Sequence, residues 1–262
     1  MRSWAAAGAC AVVALSAGCA PTSQPAPAGK TLRIGVDLPL SGGESRAATP
    51  ALNGIRYFVQ THPTLDGFTI QLETTDDAAD PKRGVSNVNR FLTEAGVVAM
   101  IGPFDGPVAR KEIPVANSAG LAMVSPATSN PCLTRDVYVP APIVDATSAP
   151  AAQAAIAGFK TSFGSTSAYG PYTMVAYDAT AVLYAALDRA IVAAGGGLPS
   201  RDQVIAELAR TSGLEGVTGR LGFDANGDTT NRVVSIFEAP AAGARAPWKL
   251  AGTVDYSARL PY

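Results

Sequence analysis

Val97-Val98-Ala99-Met100-Ile101, halted by Gly102-Pro103, is the stretch that decides the fold. Its apolar residues run without alternation, so this strand must be buried on both faces. Leu121–Val124 is a second buried strand of the same kind. Leu32-Arg33-Ile34-Gly35-Val36 reads as a strand, and Phe68-Thr69-Ile70-Gln71-Leu72-Glu73 alternates in and out as a strand should. Helical patterns separate these runs. Ala51–Gln60 gathers Leu52, Ile55, Phe58 and Val59 roughly on one side. Asp80-Pro81 opens the next helix, with Asp as N-cap and Pro at the first helical position; Val85, Val88, Phe91 and Leu92 form its apolar face. Val108–Ser118 is a weaker helix closed by Gly120. Strand and helix in alternation predict a three-layer α/β domain, its central parallel sheet covered on both sides.

After Asp136 the pattern changes. Val137–Val144 is extended and holds two prolines, which marks an edge strand or a connector. Ala149–Phe163 is helical, and Tyr172–Ala194 is a long apolar helix stopped by Gly195-Gly196-Gly197. Ser200–Arg210 is a shorter helix capped by Ser200. From Gly216 the tail reads as hairpin strands with a turn at Asp224–Asp228, and a last strand runs from Trp248 to Val254. The helices from Ala149 onward are expected to cover the same sheet.

The N-terminus carries a different message. Arg2 supplies a short positive region, Trp4 to Leu15 is apolar and alanine-rich, and Leu15-Ser16-Ala17-Gly18-Cys19 resembles a lipobox. The reading is a lipoprotein signal over 1–18 with lipid on Cys19. A Pro/Ser/Ala tether, Ala20–Gly29, then leads at residue 30 to one domain over 31–262. An ordinary secretory signal with a chance cysteine is the alternative. Either way the domain is expected outside the cytoplasm; with lipid it is anchored to the cell membrane. Cys10 leaves with the signal and Cys19 is acylated, so Cys132 remains with no partner for an intrachain disulfide. A net charge of −1 gives no electrostatic case for nucleic acid or an anionic membrane surface.

Nothing in the chain pairs a nucleophile with a base, so no enzymatic chemistry is expected. Asp76-Asp77 ends a strand and caps the next segment. Asp224–Asp228 is out of register for a calcium loop and reads as a turn. His62, the single histidine, makes neither a triad nor a zinc site and is expected in an exposed loop. Tyr169 and Tyr172 are expected to pack. No metal or cofactor is expected.

Several motifs, taken in order, resemble the type I periplasmic solute-binding proteins of ABC transporters, in particular the leucine/isoleucine/valine-binding family. They are Ile34-Gly35-Val36 with Leu38-Pro39-Leu40-Ser41-Gly42, then Asn53-Gly54. Asp76-Asp77 with Asp80-Pro81 comes next, then Ile101-Gly102-Pro103 and Ser125-Pro126-Ala127-Thr128-Ser129-Asn130-Pro131 with Leu133-Thr134. Gly219–Asp224 and Asn226-Gly227-Asp228 resemble the family's closing hairpin. The resemblance implies a Rossmann-like lobe plus a C-terminal hairpin. It also implies that most of the second lobe is absent after about residue 136, because Arg135-Asp136 runs almost directly into the crossing-back segment.

By the same resemblance, the ligand carboxylate is met by Phe104, Asp105 and Gly106 and by Ala127, Thr128 and Ser129. Gly106 stands where relatives offer a serine, and Asp105 beside it repels an anion. Groups for the ligand ammonium belong to the missing lobe. The implied function is amino-acid uptake of the branched-chain type, with a small-molecule ligand and an ABC permease as partners. The alternative is a degenerate single-lobe interaction module without transport, pairing with another protein or with itself through the face the lost lobe would cover.

Overall fold

The computed structural model describes residues 30–127, 137–138, 146–164, 168–238 and 249–255. The first strand, β1 (Lys30–Leu38), leads to α1 (Ser45–Thr61), a two-residue β2 (Thr64–Leu65) and β3 (Phe68–Asp76). Then come α2 (Pro81–Thr93), β4 (Val97–Ile101), α3 (Gly106–Ser118), β5 (Ala122–Val124) and β6 (Val137–Tyr138). Two 3-10 turns precede α4 (Gln153–Phe163), α5 (Thr173–Ala193) and α6 (Arg201–Ala209). The tail holds β7 (Leu214–Gly216), β8 (Gly219–Leu221), β9 (Val233–Glu238) and β10 (Lys249–Asp255).

Six strands form one sheet in the order β2-β3-β1-β4-β5-β6. All its pairings are parallel except the short β2 edge, which runs antiparallel to β3. The predicted central parallel sheet is thus present with one antiparallel edge strand added. Val137–Val144 contributes β6 as a parallel edge strand; its remainder lies outside the described residues. The two small sheets, β7-β8 and β9-β10, are antiparallel hairpin pairs.

Both faces of the sheet are covered. On one side Val88 and Phe91 of α2 and Ala109 and Ile113 of α3 pack on Met100, Leu121 and Met123. Gly35 lets this layer approach, since a Cβ there would strike the Phe91 ring at 2.8 Å. On the other side Leu32, Ile34, Val36 and Leu38 of β1 meet Leu52, Ile55 and Phe58 of α1, together with Val182, Leu183 and Leu187 of α5 and Val204 and Leu208 of α6. The apolar α5 is buried nearly all round because it lies between α1, α6 and β7. Tyr57, Ile156, Phe159 and Met174 make a satellite core that fixes α4. Of the helices after Ala149, α5 and α6 cover the same sheet, as expected, whereas α4 packs outside them on α1 because its apolar side faces Tyr57 and Met174.

Local chemistry explains the boundaries. Asp80 caps α2 by accepting from the Lys82 N–H at 2.8 Å, and Ser200 with Gln203 forms a capping box on α6. Gly195 and Gly196 stop α5 with positive φ. The first helix starts earlier than Ala51, with Pro50 inside it, so proline marks neither of its ends. His62 is exposed at the α1 C-cap and stacks on Phe58. Asp224 Oδ1 accepts from the N–H groups of Asn226 and Asp228, which makes 224–228 a turn. Asp178 of α5 accepts from Val217 and Thr218 and ties the β7-β8 hairpin to the domain.

The seam between α1 and α5 gives a test of this packing. A Cβ on Gly54 would overlap the Thr173 carbonyl. Glycine to alanine inside a helix normally stabilises by up to about 1 kcal/mol. Here the sign is reversed: Gly54→Ala is expected to cost about 1–3 kcal/mol through overpacking. Urea unfolding checks it, and a neutral or stabilising result would contradict the seam.

Candidate functional site

The strand order fixes where a ligand would sit. In open α/β sheets the carboxyl ends of the strands diverge at the point where the winding reverses, leaving a crevice. Here β3 lies on one side of β1 and β4 on the other, so that point lies between β1 and β4. The loops above it are Leu40–Gly42 after β1 and Gly102–Gly106 after β4, with the segment from Ser125 after β5 alongside.

Hydrogen bonds pin these loops. Asp76 takes the N–H groups of Leu40, Ser41 and Ala78 at 2.9, 3.2 and 2.9 Å and the Ser41 hydroxyl at 2.6 Å. Burial pushes its carboxyl up, but these bonds from Ser41, Ala78 and Leu40 outweigh that and hold it below the usual range. Ser125 Oγ donates to the Pro103 carbonyl at 2.7 Å, and the Gly102 N–H donates to Val124 O. The Gly102-Pro103 peptide is cis. Gly102 has φ of 132° and lies against the Asp37 carbonyl, so a side chain is excluded there twice over.

The expected ligand residues are only partly free to bind. Phe104 is buried and packs edge-on against Tyr172, with ring centroids 4.9 Å apart. Asp105 is the N-cap of α3, and its Oδ1 accepts from the Val108 N–H at 3.0 Å. Gly106 is the first helical residue and Pro107, next in the chain, has no N–H. The helix N-terminus that the sequence offers to a ligand carboxylate therefore already holds one from its own chain. Ala127 packs on the main core, half-buried. Thr128, Ser129 and Cys19, the residue expected to carry lipid, lie outside the described residues. Tyr169 packs on Phe159, as expected.

Beside the loops lies a group that the sequence alone does not disclose. Asp37 at the end of β1, Asp77 just after β3 and Glu112 in α3 are each fully buried, and one carboxylate oxygen from each lies within 4.8 Å of the others. The Thr75 hydroxyl and the Asn87 amide donate to Asp37 Oδ1 at 2.7 and 2.9 Å. Asp77 Oδ1 accepts from the Ala79 N–H at 2.6 Å. The remaining oxygens, Asp37 Oδ2, Asp77 Oδ2 and both of Glu112, receive no N–H or hydroxyl donor, and Glu112 meets Asp37 carboxyl to carboxyl. Burial drives the Asp77 carboxyl up to about 7, against the Ala79 bond, with the charges of Asp37, Asp105 and Asp76 adding to the rise. Glu112 is raised well above its usual range by burial first, then by its contact with Asp37 and the nearby charges of Asp77 and Asp105. Burial also raises Asp37.

The sign of the resulting pH dependence is fixed. Between the ordinary value of 3.8 and about 7, folded Asp77 keeps a proton that the unfolded chain releases. The native state then binds more protons, and stability falls as pH rises. Asp37 and Glu112 act in the same direction. Asp76, held low, acts only below its ordinary value. In EDTA, thermal unfolding is expected at a higher temperature at pH 5.5 than at pH 7.5, with the difference reduced in Asp77→Asn. A Tm rising with pH across this window would contradict the arrangement.

Residues 31–136 match the family model described as periplasmic binding protein. The Leu/Ile/Val-binding protein homolog 2 of Brucella abortus is 32% identical over 106 residues, 39% of this chain and 28% of that protein. A Leu/Ile/Val-binding protein of Rhizobium johnstonii is 31% identical over 107 residues, 40% of this chain and 29% of its own length. The matched segment thus spans less than a third of these relatives. Among solved structures, a leucine binding protein of Thermotoga maritima superposes with a TM-score of 0.75 at 15% identity, over 86% of this chain and 99% of that one. An ABC transporter substrate-binding protein of Desulfitobacterium hafniense complexed with Leu gives 0.71 at 15% identity, over 84% of this chain and 100% of that one. A solute binding protein of R. palustris in complex with benzoate gives 0.71 at 12% identity, over 86% and 96%. Residues 31–136 are thus similar in sequence to periplasmic binding proteins, and the fold is that of the type I periplasmic binding proteins.

Proposed function

We propose that this chain is the solute-binding component of an ABC uptake system of the branched-chain amino-acid type, held outside the cytoplasm by lipid on Cys19. The observation that carries the reading is the set of pinned loops at the carboxyl ends of β1, β4 and β5, within the segment that matches the family. The ligands named for two of the similar structures, Leu and benzoate, share a carboxylate. The seat we assign to that group is Phe104, Asp105 and Gly106 together with Ala127, Thr128 and Ser129, chiefly through backbone N–H groups. The domain over 31–262 acts as a single lobe that receives the ligand on an open face.

One feature favours a second reading. Asp105 occupies the α3 N-terminus with its own carboxylate, which opposes an incoming anion. A single-lobe module that pairs with another protein or with a second copy then competes with transport. Calorimetry against a panel of amino acids separates the two.

Uptake predicts binding near a millimolar Kd, about −4 kcal/mol, because an open half-site leaves its hydrogen bonds exposed to water. Gly106→Ser is expected to tighten it, and Ser129→Ala to weaken it. Micromolar leucine binding indifferent to both changes would contradict the assigned seat. For the anchor, mass spectrometry of the membrane fraction is expected to show diacylglycerol on Cys19 as the first residue. In Cys19→Ala the chain is expected to be uncleaved or released, and an unmodified N-terminus elsewhere in the wild type would overturn this.

A further inference from the structure

We propose that Asp37, Asp77 and Glu112 form a binding site for a hard divalent cation of calcium size, set between the carboxyl edge of the sheet and helices α2 and α3. The donor set is oxygen only, which suits calcium or magnesium chemistry and not the nitrogen and sulfur ligation typical of zinc. One oxygen from each carboxylate lies within 4.8 Å of the others. Calcium–oxygen bonds of about 2.3–2.6 Å place donors on opposite sides of the ion up to about 5 Å apart.

Glu112 is the independent observation that points to a ligand. It comes from a different element than the two aspartates, it is fully buried, and no N–H or hydroxyl donates to either of its oxygens; its polar contact is the Asp37 carboxyl, an acid like itself. A fully buried carboxylate without a donor is among the most costly groups a fold can carry. No Lys, Arg or His ion pair reaches Asp37, Asp77 or Glu112 among the described residues; the nearby Arg83 instead pairs with Asp76 at 3.5 Å. Asp105 Oδ2, also buried and without a hydrogen-bond partner, adds a fourth negative group at the border of the cluster.

The neighbouring helix is shaped around this carboxylate. Gly84 lies inside α2, where glycine costs about 1 kcal/mol relative to alanine. A Cβ at this position would overlap Glu112 Oε1 and press on Val108 at 2.7 Å. Thr75 and Asn87 fix Asp37 through Oδ1 and leave its Oδ2 for the cluster. The competing explanation, protons alone neutralising the carboxylates, makes an opposite prediction about metal.

The test uses the full chain, stripped with EDTA and exchanged into chelator-free buffer. Calcium chloride is titrated by calorimetry and followed by thermal unfolding, with sodium chloride of matched ionic strength as control. One calcium per chain is expected, raising Tm by about 5 °C or more at a hundredfold excess over Kd. Because the ligands must be deprotonated, affinity is expected to rise from pH 6 to pH 8. Asp76 and Asp105 face the same cluster, so Asp105→Asn is expected to weaken calcium less than Glu112→Gln, which is expected to lose at least tenfold. Gly84→Ala is expected to do the same by displacing the Glu112 carboxylate.

Glu112→Leu keeps the outcome decisive if another variant fails to fold. Removing an unpaired buried carboxyl should leave the metal-free Tm equal or higher, while the calcium response disappears. A wild-type chain with no calcium-dependent shift, whose Tm rises only with acidity, would overturn the proposal. So would a calcium shift that survives Glu112→Leu.

Discussion

The rest of this structure depends on β1 being paired on both sides and covered on both faces. It runs parallel to β3 over its whole length and to β4 over its middle, Arg33 to Val36. Leu32, Ile34, Val36 and Leu38 fill the layer under α1 and α5, each with no exposed surface. On the opposite face Gly35 admits the Phe91 ring, and at the strand's end the Asp37 carbonyl lies where Gly102 has no side chain. A strand held this tightly cannot shift register, because a slip of one residue would turn its apolar set toward the other face. The positions of the β1 and β4 loops, and of any ligand between them, derive from that pairing.

Much of the architecture is legible because the relevant forces are local or periodic. Unbroken apolar runs such as Val97–Ile101 announce burial on both faces, and Asp80-Pro81 announces a helix start. Features decided by tertiary contact are not announced. The edge strand Thr64–Leu65 is too short to carry a period. The start of α1 is hidden because Pro50 sits within the helix while appearing to open it.

The candidate site divides along the same line. The loops are readable from motif order, and the fold brings Leu40–Gly42 and Gly102–Gly106 to one edge of the sheet. The role of Asp105 as its own helix's cap comes from backbone geometry that the motif does not reveal. Asp37 and Glu112 carry no signal at all as a pair, being distant in sequence and of ordinary residue type. A glycine inside an otherwise helical segment, Gly84, is the one available hint that another group approaches there. Three buried acids next to an expected carboxylate seat set a physical condition on ligand binding: their charge must be neutralised before an anion is welcome at Gly102–Gly106.

The central claim is that ligand chemistry belongs to the carboxyl edge of the sheet at the β1–β4 boundary. Amide chemical-shift mapping of the isotopically labelled chain, during titration with leucine up to tens of millimolar, tests it most directly. The largest shifts are expected on Leu40, Ser41, Phe104 to Gly106 and Ala127 to Ser129, while the β7-β8 hairpin and the α4 surface stay unchanged. Shifts centred on the hairpin region Thr218–Arg232, or spread evenly over the surface, would contradict it.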